Sequence, residues 1–107
     1  MTVGDRPAIL VGADRGGDPS TPVVRLSGKL DLACVEAANV GIAPYLDASQ
    51  RKITFDLEKL TFMDRSGIAL LVEISNDTGR VTLINVAPIV RRVLEITGML
   101  EHFGMGS

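Results

Sequence analysis

Between Lys52 and Ile74 the spacing of apolar residues changes from every second position to every third or fourth, which requires a strand that feeds into a helix. In KITFDL, Ile53, Phe55 and Leu57 alternate with Thr54 and Asp56, as expected of a strand with one buried face, and Glu58-Lys59 ends it. Leu60, Phe62 and Met63 then lead through the rest of LTFMDRSGIALLVEI, which begins as a strand end and finishes as a helix. On that helix Ile68, Leu71 and Val72 form one stripe, and Leu70 and Ile74 form a second beside Ala69. One stripe must cover a sheet. The other packs under a neighbouring helix, which is the commoner arrangement, or forms an exposed docking face.

The join between the two elements is Asp64-Arg65-Ser66-Gly67. Asp64 is a favourable N-cap, because its carboxylate can accept from the free N–H groups two and three residues on. Ser66 and Gly67 fall in the first helical turn, where backbone donors and the positive end of the dipole are uncovered. A small hydroxyl beside a glycine at such a place suits close approach by a partner or a phosphate. Alone, the four residues are read more plainly as a turn with an ordinary cap.

The remaining elements follow the same rules. Pro7 to Val11 reads as a first strand, and Gly12 to Pro22 as a solvated hairpin loop rich in glycine, proline and aspartate. Val23 to Ser27 is a second strand with Val24 and Leu26 on one face. Gly28 then permits a bulge or bend, and Asp31 can bond the following turn. A helix is expected from Val35 to Ala48, with Val35, Ala38, Ile42 and either Tyr45 or Leu46 inward, weakened at Gly41 and kinked or broken at Pro44. Asn76 to Arg80 should stop the second helix, and Val81 to Val86 reads as a fourth strand. Pro88 suits the first turn of a last helix over Ile89 to Thr97, with Ile89, Val90, Val93, Leu94 and Thr97 inward and Gly98 as terminator. Leu100 and Phe103 should dock on the core, with residues 1–6 and 104–107 loose. Alternation after the second strand calls for parallel pairing with right-handed crossovers. The expected fold is α/β, a four-stranded mixed sheet with helices mainly on one face, in a single domain over 1–107.

Composition removes several function classes. With 46% hydrophobic and 22% charged residues the chain suits a soluble globular protein, and no apolar run is long enough for a membrane helix. No secretion pattern opens the chain, so a cytoplasmic protein is expected. A formal net charge of −2 and only three Phe, one Tyr and no Trp disfavour nucleic-acid binding. One cysteine, Cys34, and one histidine, His102, leave no multi-cysteine metal site and no supported nucleophilic pair. No phosphate-loop or dinucleotide glycine pattern is present, and no cofactor is expected.

Three stretches resemble the STAS domain of bacterial anti-sigma-factor antagonists, in register and at family spacing. LSGKLD at Leu26 to Asp31 resembles the family's Gly-Glu-Leu-Asp turn. ITFDLEKLTFMDRSGIALL at Ile53 to Leu71 resembles its strand followed by a Met/Leu-Asp-Ser-Ser-Gly-Leu helix start, and NVAPIVRRVLEITGML at Asn85 to Leu100 its final helix. The resemblance implies a STAS fold and a regulatory protein that is not an enzyme. It would bind an anti-sigma factor, usually an ATP-binding serine kinase, and so free a sigma factor for transcription. The partner-binding residues it implies are Asp31, Asp64, Arg65, Ser66, Gly67 and Leu70, in a monomer or weak dimer without membrane insertion. In that scheme the kinase phosphorylates its antagonist at the helix start, and the complex weakens.

Here Arg65 stands where the family's phosphorylated residue follows the aspartate, and Ser66 matches the second, non-acceptor position. Three readings stay open: Ser66 as a shifted acceptor, an antagonist that is not phosphorylated, or a different partner. The second stands slightly ahead of the first, because one residue turns a side chain about 100° around a helix. Cys34 occupies a place where the family often has a Ser or Thr cap, and redox control through it is a minority reading. The alternative function is a STAS subunit of a phospholipid-transport ABC system, which the GIALLVEI helix would also suit.

Overall fold

The computed structural model describes residues 9–14, 23–46, 52–99, 101 and 103–105. In chain order the elements are β1 (Ile9–Asp14), β2 (Val23–Leu30), α1 (Val35–Ile42), β3 (Ile53–Asp56), β4 (Leu60–Met63), α2 (Arg65–Thr78), β5 (Val81–Ile84), α3 (Pro88–Ile96) and β6 (Gly104–Met105). The sheet runs β1-β2-β3-β5-β6, with β4 also beside β2. Among the described residues only β1 pairs antiparallel; the other pairings are parallel. All four expected strands are present, and two short ones, β4 and β6, join them. The expectation of a loose tail is corrected at Gly104 and Met105, which pair with Thr82 and Leu83 of β5.

The alternation read from β2, β3 and β5 sorts one face into the core. Val24, Leu26, Ile53, Phe55, Val81 and Leu83 are all buried. On the opposite face Arg25 is exposed and Thr54, Asp56, Thr82 and Ile84 are half-buried. Ala38 and Ile42 of α1, Leu71 and Ile74 of α2, and Val90 and Leu94 of α3 join the same core.

β2 pairs with β3 over its first half and with β4 over its second. The two partners are separated by a turn in which Leu60 donates its N–H to the Leu57 carbonyl. Between Gly28 and Lys29 the register jumps from Leu60 to Phe62, leaving Thr61 as the extra residue of a bulge. The Thr61 hydroxyl donates to the Gly28 carbonyl at 3.0 Å. Gly28, at φ 104, adopts the backbone this bend requires. The bulge foreseen at Gly28 is thus present, but β2 continues through it to Leu30 rather than ending at Ser27.

Other boundaries move for local reasons. β1 runs later than expected, to Asp14. α1 stops at Ile42, and Ala43–Tyr45 tighten into a 3₁₀ turn around Pro44, the break the proline predicts. Ala48 lies outside the described residues. α2 continues through Asn76 to Thr78 and ends at Gly79, because Thr78 stays helical with its hydroxyl bonded to the Ile74 carbonyl. β5 ends at Ile84, since Asn85 turns to φ 52, a left-handed conformation that asparagine tolerates.

At the end of α3, Gly98 donates to the Glu95 carbonyl and Met99 to the Leu94 carbonyl, the paired bonds of a glycine-terminated helix. Ile89 is not buried as expected but 54% exposed. The inward stripe centres on Val90 and Leu94. Ile89 lies about 120° off that centre, on the same flank as Ile96. Phe103 is buried as expected, while Leu100 lies outside the described residues.

α2 crosses the end of β2 at Gly67, and a Cβ there would lie 2.6 Å from the Leu30 carbonyl oxygen. Gly67→Ala would gain about 1 kcal/mol of helix propensity. The obstructing atom is backbone and cannot rotate away, so overpacking of about 1–3 kcal/mol outweighs that gain. We expect Gly67→Ala to lower stability by up to about 2 kcal/mol in a urea titration; a raised midpoint would show that α2 is not seated this closely.

Candidate partner-binding site

The parallel pairing of β2 with β4 sets the ends of both strands side by side. Asp64 leaves β4 in an extended conformation and donates its N–H to the Leu30 carbonyl at 3.2 Å. Its carboxylate then serves both neighbouring segments. One oxygen accepts from Ser66 N–H at 2.8 Å and, more weakly, from Gly67 N–H at 3.4 Å. The other accepts from Leu32 N–H at 3.3 Å, across from the segment that links β2 to α1. The expected cap is therefore present, and it also fixes a loop distant in sequence.

Asp31 plays a parallel part for α1. Its carboxylate accepts from Cys34 N–H at 3.0 Å, while its carbonyl accepts from Val35 N–H at 2.8 Å. Cys34 occupies the cap position of α1 but makes no side-chain cap bond, and its thiol is buried. The aspartate three residues earlier closes the turn that enters α1 by bonding the N–H of Cys34 itself, and not the first-turn N–H groups that a Ser or Thr at position 34 would reach.

Five of the six residues read as partner-binding come together on this rim. Asp31, Asp64 and Ser66 are half-buried, Arg65 is exposed, and Gly67 forms the floor where α2 meets β2. Leu70 does not join them: at 6% exposure it is part of the core. Gly67, Leu70, Leu71 and Ile74 make up the inward stripe of α2, so the second apolar stripe packs inside instead of forming a docking face. Two neighbouring features were not foreseen. Leu32, beside Asp64, is 75% exposed, and so is Ile96, across a groove from Arg65. The flank position of Ile96 on α3 was a usable signal for it; Leu32 lies in a turn, and no periodicity pointed to it.

Chemically, the rim offers fixed backbone, one cation, one hydroxyl and two carboxylates that already accept from backbone N–H groups. Arg65 is the first residue of α2, where the helix dipole disfavours a positive charge by a few tenths of a kcal/mol. Among the described residues no His, Cys, Asp and Glu gather in a group able to hold a metal ion, and no helix is long and apolar enough to cross a membrane.

Comparison with known proteins agrees with this architecture. A family profile described as the STAS domain matches residues 14–107. The anti-sigma F factor antagonist of Lysinibacillus sphaericus is 36% identical over 84 residues, which are 74% of this chain and 72% of that protein. The solved structure of the anti-sigma factor antagonist SpoIIAA in its unphosphorylated form matches with a TM-score of 0.73 at 26% identity, covering 92% of this chain and 89% of that one. The Bacillus cell fate determinant SpoIIAA in its phosphorylated form matches with a TM-score of 0.65 at 25% identity, covering 92% of each chain. With its parallel crossovers, its capped α2 and its matched profile, the chain belongs to the STAS domain family.

Proposed function

We propose that this chain is an anti-sigma-factor antagonist, a single STAS domain that binds an anti-sigma factor of the ATP-binding serine-kinase type and thereby releases a sigma factor. The observation that carries this reading is the 36% identity, over 84 residues, to an anti-sigma F factor antagonist. Acting in the cytoplasm as a monomer or weak dimer, the chain works by binding and is not an enzyme. The contact face is the rim formed by Asp31, Asp64, Arg65, Ser66 and Gly67, with Leu70 supporting it from beneath.

Control by phosphorylation at this face is altered or absent. The exposed position at the start of α2 is Arg65, which cannot accept a phosphate. Ser66 has the required hydroxyl but is half-buried, with its N–H held by Asp64. A phosphate of roughly −1.5 to −2 charges would be tolerated by a helix N-terminus within the isolated domain. A phosphate switch at this place would therefore act through the interface and not by unfolding α2. These features favour an antagonist that stays competent to bind over one switched through Ser66.

Capture of partners from the native host, followed by their identification, tests the main reading. An ATP-binding anti-sigma factor is the expected partner; a permease and ATPase in its place would replace this reading with that of a STAS subunit of a phospholipid-transport ABC system. Incubation of the captured kinase with ATP tests the control. We expect no stable phosphate on the wild-type chain and one new phosphate on Arg65→Ser; a phosphate on the wild type that Ser66→Ala removes would instead make Ser66 the acceptor. Asp64→Ala removes a cap and frees the Leu32 N–H. It should cost about 1–3 kcal/mol in a denaturant titration and weaken partner binding through a loosened rim.

A further inference from the structure

α2 and α3 leave an open groove of about 650 Å³, lined by Arg65, Ile68, Val72, Ile96, Thr97 and Met99 among others. Its walls are mostly apolar, and Ile96 stands 75% exposed at its edge. The polar groups are few enough to account for. Thr97 donates its hydroxyl to the Val93 carbonyl at 2.8 Å and the Leu94 carbonyl at 3.2 Å, so that proton is committed within α3. Arg65 has no ion pair among the described residues. The groove therefore presents an apolar trough with one cation at its rim, and the complement is an apolar group next to a carboxylate.

We propose that this groove receives a segment of the partner protein in which an apolar side chain, packing on Ile96 and Val72, is followed closely by a carboxylate that pairs with Arg65. The assignment rests on the reading of the chain as an antagonist that docks through the start of α2, and it makes Arg65 a residue that selects the partner. Charge complementarity argues for the carboxylate, because a cation at a helix start works against the dipole and no ion pair within the described residues offsets it. Openness argues for a protein over a free amphiphile. Small-ligand sites bury about 70–90% of their ligand, which a trough edged by a residue as exposed as Ile96 does not do. A protein segment brings its own cover and runs on to the rim at Ser66.

The test titrates the purified anti-sigma factor from the capture experiment into the full chain and its variants. Arg65→Glu and Ile96→Ser alter exposed residues, so both should fold. Each is expected to weaken binding by about tenfold or more, the scale of a central interface residue. Arg65→Lys should keep most of the affinity, and Val40→Ser, an exposed apolar residue on α1, should change nothing. Affinity of the wild type should fall with added salt more steeply than that of Arg65→Gln. Binding within about twofold of wild type in both Arg65→Glu and Ile96→Ser would overturn the proposal while leaving the antagonist reading intact. Displacement of the anti-sigma factor by micromolar oleate would assign the groove to a small amphiphile, and a dimer abolished by Ile96→Ser would assign it to a second copy; each overturns the proposal. Failure of the wild-type chain to bind any anti-sigma factor would remove the antagonist reading and the groove assignment together.

Discussion

The carboxylate of Asp64 is the interaction on which the candidate rim of this domain depends. It satisfies N–H groups at Leu32, Ser66 and Gly67, while the Asp64 N–H bonds the Leu30 carbonyl. A helix start and the exit of a distant strand are thereby fixed against one side chain. Hydrogen bonds to an ionised group are stronger than neutral ones, and a partly buried donor left without a partner is costly. The close seat of Gly67 on Leu30 follows from the same arrangement. With the helix start held by Asp64, only a residue without a side chain fits between α2 and the backbone of β2.

The sheet prepares the position of that carboxylate. β3 and β4 behave as one broken strand along β2, and the bulge at Gly28 and Thr61 takes up the extra residue where they meet. Leu60 and Met63 are both buried although they are three positions apart, and Phe62 is left 41% exposed. Strict alternation from Leu60 would have sent Phe62 inward and Met63 outward. The bulge reverses that order, so the chain leaves β4 from a buried Met63 and presents Asp64 at the strand end.

Much of the fold was legible because strong period-two and helical patterns coincide with single buried faces. Ile53, Phe55 and Leu57 illustrate this, as do Val90 and Leu94. Boundaries were less legible where one residue's backbone decides them, as with Asn85 at the end of β5. In the sequence β4 stands out only as a strand end, because four residues with an interior bulge carry no clear period. At the candidate site, the backbone bonds of Asp64 and Asp31 were legible from capping and turn chemistry, while the close seat of Gly67 on Leu30 was not. Leu70 was misplaced, because two apolar stripes on α2 look equivalent until the sheet and α1 are in place. The places of Leu32 beside Asp64 and of Ile96 on the groove follow only from tertiary neighbours.

The bond from Leu32 to Asp64 spans 32 residues, and this gives the rim a property beyond its shape. Neither α2 alone nor the β2 hairpin alone contains the surface; it exists only once both are closed against each other. A partner that reads the rim is therefore reading whether the chain has finished folding. By the same coupling, whatever binds there adds its binding free energy to the cohesion of the whole domain.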